Sequence, residues 1–252
     1  MLEVKNLTVQ YGNLVIVDNL SFSLGEKSWL MVVGPNGSGK STIVNAITQG
    51  VPYTGSILYE GRDVRRMKPA IRARKIGMLS QVNTVAYPFT VGEIVRLGRY
   101  SHAPGVLGSG SGDDDCGVKK ALEMTGMLPF EDQSALTLSG GELQRAFLAQ
   151  VLAQDPNLLI LDEPANHLDL EYQKQVFGLI TEWVRRPGRS VISVVHDLSL
   201  ARAYGTDIML LSKGRIVSIG RAETVLSRDN LQNVYSMDVH AWMREMLRRW
   251  EG

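Results

Sequence analysis

The residues best suited to chemistry form a glycine-rich segment, Gly34-Pro-Asn-Gly-Ser-Gly-Lys-Ser41. Glycines at these positions let consecutive backbone N–H groups converge on phosphate oxygens, and a helix that follows points its positive end at them. In such a loop Lys40 reaches the β and γ phosphates, and Ser41 ligates magnesium. The segment therefore predicts a nucleotide-binding loop, for which an ordinary glycine-rich turn is the alternative.

Two adjacent acids, Asp162 and Glu163, directly follow the apolar stretch Leu158–Leu161. An aspartate at the carboxyl end of a buried strand can hold magnesium through its water shell. The glutamate beside it can polarise a water molecule for in-line attack on a γ phosphate. Buried strands often end in acids, so the pair is a weak signal alone. Together with the phosphate loop it favours hydrolysis over binding alone.

A second anion-binding segment, Leu138-Ser-Gly-Gly-Glu-Leu-Gln-Arg145, lies just upstream of these acids. Ser139 and the two glycines after it stand at the start of a predicted helix, where free backbone N–H groups attract anions. A chain with one phosphate loop and a second anion site suggests that the second serves a neighbouring chain's nucleotide. The spacing alone leaves that question open.

The elements that must position these residues are short apolar strands. Trp29–Val33 is continuously apolar, as a strand buried on both faces is, and the phosphate loop separates it from a helical pattern over 40–48. Similar apolar runs at Leu158–Leu161, Val191–Val195 and Ile208–Leu211 alternate with helical patterns. They predict a parallel sheet covered by helices. Residues 2–33 begin with alternating runs that predict an antiparallel lead-in.

Three other segments carry local signals. Residues 62–75 contain seven basic side chains and are interpreted as a solvated helical face. Thr90 and Glu93 form a capping-box pattern that predicts a helix running toward Tyr100. Residues 104–117 are small and acidic, which favours an exposed loop over a calcium site because the regular ligand spacing is absent.

The tail of the chain shows helical periodicity from Val239 onward. Its apolar residues share one face, and three arginines lie off that face. Packing of the face on its own domain is the expectation, and contact with a membrane surface or with a partner is the alternative.

Composition excludes several classes of protein. Of the 252 residues, 44% are hydrophobic and 21% charged, which are values of folded rather than disordered chains. The net charge of +1 gives no field for binding a polyanion, so no nucleic-acid partner is expected. The single cysteine, Cys116, cannot form an intramolecular disulfide and favours the cytoplasm. Neither an export signal nor a membrane-spanning run is predicted.

Four motifs follow one another along the chain: the phosphate loop, the Leu138–Arg145 segment, Asp162-Glu163, and His196 after a buried strand. Their order resembles that of ATP-binding cassette (ABC) ATPases, and the resemblance covers residues 2–238. The resemblance implies an α/β fold: a P-loop NTPase (RecA-like) core with an N-terminal antiparallel β subdomain and a helical subdomain. We expect an ATPase domain over 1–238, with the helical subdomain inserted at about 82–153, and an amphipathic helix over 239–252.

The resemblance also assigns roles to individual residues. Glu163, His196 and Gln81 would be catalytic: Glu163 as base, His196 at the γ phosphate, and Gln81, at the end of a strand over Ile76–Ser80, at the magnesium and the attacking water. Tyr11 would stack on adenine, although core or edge packing is the alternative for a tyrosine in this position. The magnesium ligands would be Ser41, Gln81 and Asp162. ATP would contact Tyr11, Gly34, Pro35, Asn36, Gly37, Ser38, Gly39, Lys40, Ser41, Thr42, Ser139, Gly140, Gly141 and Asp169.

In this family two chains form a head-to-tail dimer, so Ser139, Gly140 and Gly141 would complete the partner's ATP site, and Asp169 would communicate across the dimer. Glu142 stands where many relatives have glutamine. The segment Pro88–Tyr100 and the motif Asp162–Asp169 resemble importers of iron-siderophore, haem or cobalamin. The partners implied are a membrane permease and, through it, an external binding protein, at the cytoplasmic face of the membrane. A soluble iron–sulfur assembly ATPase is the alternative.

Overall fold

A computed structural model describes residues 1–81, 85–102, 112–166 and 168–251. The chain divides into two compact units. The first comprises Met1–Leu24, Ser28–Asp63 and Val194–Gly252, and the second comprises Gly25–Lys27 and Val64–Ser193. Antiparallel and parallel strand pairs occur together with helices, which confirms the predicted α/β class.

The first unit opens with an antiparallel sheet. β1 (Leu2–Tyr11) pairs with β2 (Leu14–Leu24) and with β4 (Thr54–Tyr59), and β5 (Arg62–Asp63) pairs with β4. Buried and exposed residues largely alternate along β1, as they do in a strand with one face on a core. The predicted antiparallel lead-in is confirmed.

The strand before the phosphate loop, β3 (Trp29–Val33), is buried at every position. It pairs in parallel with β9 (Asp207–Ser212), and β9 pairs antiparallel with β10 (Arg215–Gly220). Helix α1 (Lys40–Ile47) follows the loop. The strand, loop and helix that the sequence predicts are therefore present, and a continuously apolar run is explained by burial on both faces.

Four further helices complete the first unit: α7 (Leu198–Tyr204), α8 (Ala222–Val225), α9 (Arg228–Tyr235) and α10 (Val239–Glu251). The helical periodicity predicted for the tail is confirmed. Its expected packing on its own domain is confined to the start of α10, because Val239 is buried whereas Trp242 and Trp250 are 51% and 85% exposed. The apolar periodicity predicted the helix but could not determine what covers its face.

The second unit contains strands in the order β8 (Ser190–Val194), β7 (Leu158–Asp162) and β6 (Ile76–Leu79), with β6 and β7 parallel. Its helices are α2 (Pro69–Lys75), α3 (Val91–Leu97), α4 (Gly112–Met124), α5 (Gly140–Ala153) and α6 (Leu170–Val184). The basic segment 62–75 is therefore not one helical face but β5, a 3₁₀ turn and α2. Most of its cations are exposed, as expected for a solvated segment.

The acidic segment 104–117 differs from its prediction. Residues 104–111 lie outside the described ranges, but residues 112–117 form the first turns of α4 rather than a loop. Asp114 is buried there, and its Oδ1 lies 3.0 Å from the Nε of Arg99. Acids are favoured at a helix amino end by the helix dipole, and a buried ion pair holds this one in place. Composition alone suggested a loop because it cannot show the tertiary partner.

The predicted capping box at Thr90 is confirmed: Thr90 Oγ1 accepts from the Glu93 amide, and Glu93 Oε2 accepts from the Thr90 amide. The α-helix ends at Leu97, and a 3₁₀ helix continues over Gly98–His102. A side chain at Gly98 would come within 2.1 Å of the Gln150 carbonyl oxygen, so the segment passes close to α5. Along the described residues, none of the helices has the length and hydropathy needed to cross a membrane.

Candidate nucleotide-binding and hydrolysis site

The phosphate loop connects β3 to α1 in a conformation that requires glycine at two positions. Gly34 has φ 150°, and a Cβ there would lie 2.3 Å from the Leu211 carbonyl oxygen. Gly39 has φ 98°, and a Cβ there would lie 3.0 Å from the Ile16 carbonyl oxygen. Any larger residue would be strained at both positions. The loop geometry is thus fixed by close packing of backbone on backbone.

The start of α1 is open to an anion. Its N-cap is Gly39, which supplies no side-chain hydrogen bond, and its first turn carries no acid. The first backbone N–H groups of a helix lack partners within the helix and form a site for phosphate. The Ser38 Oγ is buried without a hydrogen-bond partner among the described residues. This open start fits the phosphates predicted for it.

Lys40 is the cation of this loop. It is buried, and its Nζ donates to the carbonyl oxygens of Gly34 at 2.8 Å and Pro35 at 3.0 Å. These bonds hold the ammonium group against the backbone of the loop. A buried charge acts strongly on a phosphate because the surrounding dielectric is low. Ser41 and Thr42 follow in the first turn of α1, which places their hydroxyl groups at the same helix end.

Two further predicted residues lie in the first unit. Tyr11 ends β1 and is 51% exposed, so its ring is available for stacking and does not pack in the core. His196 is exposed and follows Val195, whose amide donates to the Val32 carbonyl at 3.1 Å. The histidine therefore stands one residue beyond a chain segment bonded to β3, near the strand end from which the phosphate loop departs.

The acid pair lies in the second unit at the end of β7. Asp162 and Glu163 are both buried. Gln81 stands just beyond β6, the parallel neighbour of β7, and its Nε2 donates to Glu163 Oε2 at 3.0 Å. The carboxyl ends of parallel strands meet at one sheet edge, which explains how residues 82 positions apart come together. The structure thus joins Gln81 to Glu163 by a direct hydrogen bond.

Asn166 is a site residue that the sequence reasoning missed. Its Nδ2 donates to the same Glu163 oxygen, and its backbone amide donates to the Glu163 carbonyl oxygen at 3.2 Å. Glu163 has φ 56°, a left-handed conformation that is uncommon outside glycine. Two amide groups and a tight turn therefore orient one carboxylate. The signal in the sequence was an asparagine three positions after Glu163, just beyond the buried strand.

The start of α5 is capped by its own chain. Ser139 Oγ accepts from the Glu142 amide at 3.3 Å, and Glu142 Oε2 accepts from the Ser139 amide and hydroxyl, each at 2.8 Å. The hydrogen bond from the Ser139 backbone lowers the pKa of Glu142, as does the bond from the Ser139 hydroxyl. Gly140 and Gly141 form the first helical positions. The Glu142 carboxylate is therefore bonded to the residue that precedes the two glycines of the predicted anion site.

Asp169 caps a different helix. Its Oδ1 accepts from the Tyr172 amide at 2.9 Å at the start of α6. The described hydrogen bonds of Ser139 and of Asp169 each stay within one helical turn, so the structure brings neither side chain to Glu163. His167, between Asn166 and Leu168, lies outside the described residues.

The three predicted magnesium ligands all carry oxygen donors. The hydroxyl of Ser41, the amide of Gln81 and the carboxylate of Asp162 offer oxygen ligands, which Mg²⁺ prefers. Within the described ranges, no cluster of three or more histidine, cysteine, aspartate or glutamate side chains could hold a metal ion by itself.

Comparison with known proteins places this geometry in a family. The sequence profile of ABC transporters matches residues 17–166. The ferric enterobactin transport ATP-binding protein of Escherichia coli is 33% identical over 92% of this chain and 86% of its own length. A hemin import ATP-binding protein of Jannaschia sp. is 37% identical over 93% of this chain and 87% of its own.

Solved structures agree with these relatives. A chain of a metal-chelate type ABC transporter in an inward-facing conformation has a TM-score of 0.81 and 25% identity over 94% of this chain and 89% of its own. A dimeric ATP-binding cassette bound to ADP and phosphate has a TM-score of 0.79 and 27% identity over 88% of this chain and 99% of its own. The chain therefore belongs to the ABC transporter family, as one of its ATP-binding ATPases.

Proposed function

We propose that this chain is the ATP-hydrolysing subunit that powers a membrane importer of metal chelates, of the iron-siderophore, haem or cobalamin type. The observation that carries this proposal is the set of names among its relatives. Proteins named for ferric enterobactin, petrobactin and hemin import each align with more than nine-tenths of the chain. These names favour an importer over a soluble iron–sulfur assembly ATPase.

The chemistry would be in-line attack of water on the γ phosphate of ATP. Lys40 and the open start of α1 bind the phosphates, and Tyr11 stacks on adenine. Magnesium, bound by Ser41, Gln81 and Asp162 together with the phosphates, would neutralise phosphate charge. Glu163 accepts the proton of the attacking water, and the amide donors of Gln81 and Asn166 hold its carboxylate in orientation. His196 contacts the γ phosphate.

The nucleotide would be sandwiched between two copies of the chain. Ser139, Gly140 and Gly141 of one copy would complete the ATP site of the other, and Asp169 would transmit the state of one site to the other. The dimeric cassette among the structural relatives supports this arrangement. Closure of the dimer on ATP would drive the permease, and hydrolysis would reset it.

The permease would dock on an exposed apolar surface of the second unit. Tyr87, Phe89, Leu97 and Tyr100 are all exposed, and the last three line a cavity of about 390 Å³. Large exposed apolar side chains grouped in this way are typical of protein interaction sites. We call Tyr87, Phe89, Leu97 and Tyr100 the aromatic patch. It would hold the chain at the cytoplasmic face of the membrane, with the external binding protein reached only through the permease.

Co-purification from detergent-solubilised membranes tests the proposal. The tagged chain is expected to recover a permease with many membrane spans, and Leu97→Glu is expected to lose it because a charge would be buried in the docking surface. Val217→Glu, at an exposed apolar residue of β10 in the first unit, is the matched control and should retain the permease.

Recovery of soluble proteins alone would contradict the importer assignment and favour the iron–sulfur assembly alternative. A permease recovered equally by Leu97→Glu would retain the importer but remove the aromatic patch as its docking surface. Reconstitution of the recovered complex in vesicles then identifies the cargo. Ferric siderophore, haem and cobalamin are each offered in labelled form, and only the cargo should accumulate with ATP.

A further inference from the structure

Arg145 is a buried cation on α5 with an unsatisfied donor. Its exposed fraction is 6%, and its Nε has no hydrogen-bond partner in the part of the chain that the structure describes. Arginine is almost never this buried unless it is paired. Its guanidinium carbon lies 4.0 Å from the centre of the Tyr172 ring. That cation–π contact stabilises the charge but leaves Nε–H without an acceptor.

The same side chain lines a cavity of about 640 Å³ that lies entirely within the second unit. The cavity is bounded by the end of α4, by α5 and by α6, and its volume is in the range of small-molecule sites, roughly 300–1,000 Å³. Much of its wall is apolar, from Met124, Leu148, Val176 and Leu179. A molecule that filled it would have an apolar body and would present its polar group to Arg145.

The charges around the cavity favour an anion. Lys174, Glu123 and Glu171 also line it, but all three are exposed, and water screens their charges. Glu171 accepts a hydrogen bond from Gln175 at 3.2 Å. Glu142 acts on Arg145 through space, while its carboxylate is bonded to Ser139. The buried guanidinium is screened least, so it determines which charge the cavity prefers.

We propose that this cavity binds a small organic anion whose carboxylate or phosphate group bonds to Arg145 and whose apolar body packs between α5 and α6. The planar fork of a guanidinium group matches the oxygens of both groups. Because α5 begins beside Ser139 and α6 beside Asp169, the occupant would contact the two helices that carry these predicted dimer residues. The site does not contain the phosphate loop.

Nuclear magnetic resonance of the arginine side chains tests the proposal. The protein is the full chain with Lys40→Ala, so that the phosphate loop does not compete for the probes. A second variant that also carries Arg145→Lys assigns the Nε–H signal of Arg145 by its loss. Hexanoate and hexyl phosphate are the probes, with acetate as the probe without an apolar body. We expect the Arg145 signal to shift to saturation with hexanoate or hexyl phosphate, at concentrations at least tenfold below any effect of acetate. Comparison of the two probes distinguishes a carboxylate site from a phosphate site.

A cavity-filling variant keeps the test valid even if changes at Arg145 unfold the chain. Gly178 lies on α6 and lines the cavity, and a Cβ there would meet nothing within 4 Å. Gly178→Leu should therefore fold and should weaken probe binding at least tenfold. Gly178→Ala, the matched control, should change it less than twofold. The proposal would be overturned if the Arg145 signal did not shift, or if its shift rose linearly with probe concentration without saturation. It would also be overturned by a shift that is equal for acetate and hexanoate, or one that Gly178→Leu does not affect.

Discussion

The starts of α1 and α5 are both glycine-rich helix ends suited to anions, yet they differ in how they are capped. At α1 the N-cap is Gly39, no side chain caps the helix, and no acid lies in the first turn. At α5 the Glu142 carboxylate accepts two hydrogen bonds from Ser139. The first end therefore has no side-chain cap, whereas at the second a carboxylate from the first turn is bonded to the N-cap residue. Similar sequence chemistry thus gives one helix start without a side-chain cap and one that is capped by its own first turn.

The largest expected effect comes from Glu163→Gln, which separates binding at the open end from hydrolysis. Steady ATP turnover should fall about 10²–10⁴-fold, because general base catalysis typically contributes that much. ATP affinity should stay within a few-fold, since α1 and Lys40 bind the phosphates. Phosphate release and nucleotide titration measure the two quantities. Normal turnover would remove Glu163 as the base.

The capped start of α5 is expected to complete the ATP site of a second copy of the chain. A Ser139→Arg chain mixed with a Lys40→Ala chain, both carrying Glu163→Gln, should trap one ATP per mixed dimer. Each variant alone should trap little ATP. The Ser139→Arg chain lacks an intact α5 start, and the Lys40→Ala chain lacks the cation of the phosphate loop. Labelled ATP retained after rapid gel filtration gives the stoichiometry. Equal trapping by the unmixed Ser139→Arg chain would show that α5 takes no part in the site.

Asn166→Ala tests the orientation of the base, with a smaller effect. Loss of one hydrogen bond to a charged carboxylate costs about 1.5–3 kcal/mol, of which water recovers part, so turnover should fall roughly tenfold. ATP affinity should not change. Asn166→Asp keeps the shape of the side chain and should not restore the rate. Turnover equal to that of the unsubstituted chain would leave Asn166 with only a structural role.

Glu142→Gln tests the self-capped end and should have the smallest effect. Because hydrogen bonds lower the pKa of Glu142 in the folded chain, its charge stabilises the fold above its ordinary pKa of 4.5. That contribution is lost as pH falls through the lowered value. At pH 7 the variant should lose about 0.3–1 kcal/mol of unfolding free energy, as for an acid at a helix start. Urea titrations at pH 7 and pH 3 measure the difference, which should shrink at the lower pH. A constant difference would contradict the assignment.

Several local features around the candidate site could be predicted from the sequence, because they depend on residues close together in the chain. The glycine spacing of the phosphate loop, the capping box at Thr90, the helix start at Ser139 and the apolar run of β3 are all set within a few residues. Each corresponds to a feature of the structure. Alternating and continuous apolar patterns likewise predicted antiparallel and buried parallel strands.

The features that the sequence did not determine depend on partners distant in the chain. Asp114 is helical and buried because it meets Arg99. Gln81 reaches Glu163 because parallel strands end at one edge of a sheet. Arg145 faces a cavity that residues of three helices enclose. Local propensity and spacing are encoded over a few residues, whereas burial, cavities and the pairing of charges arise only when separate segments pack together.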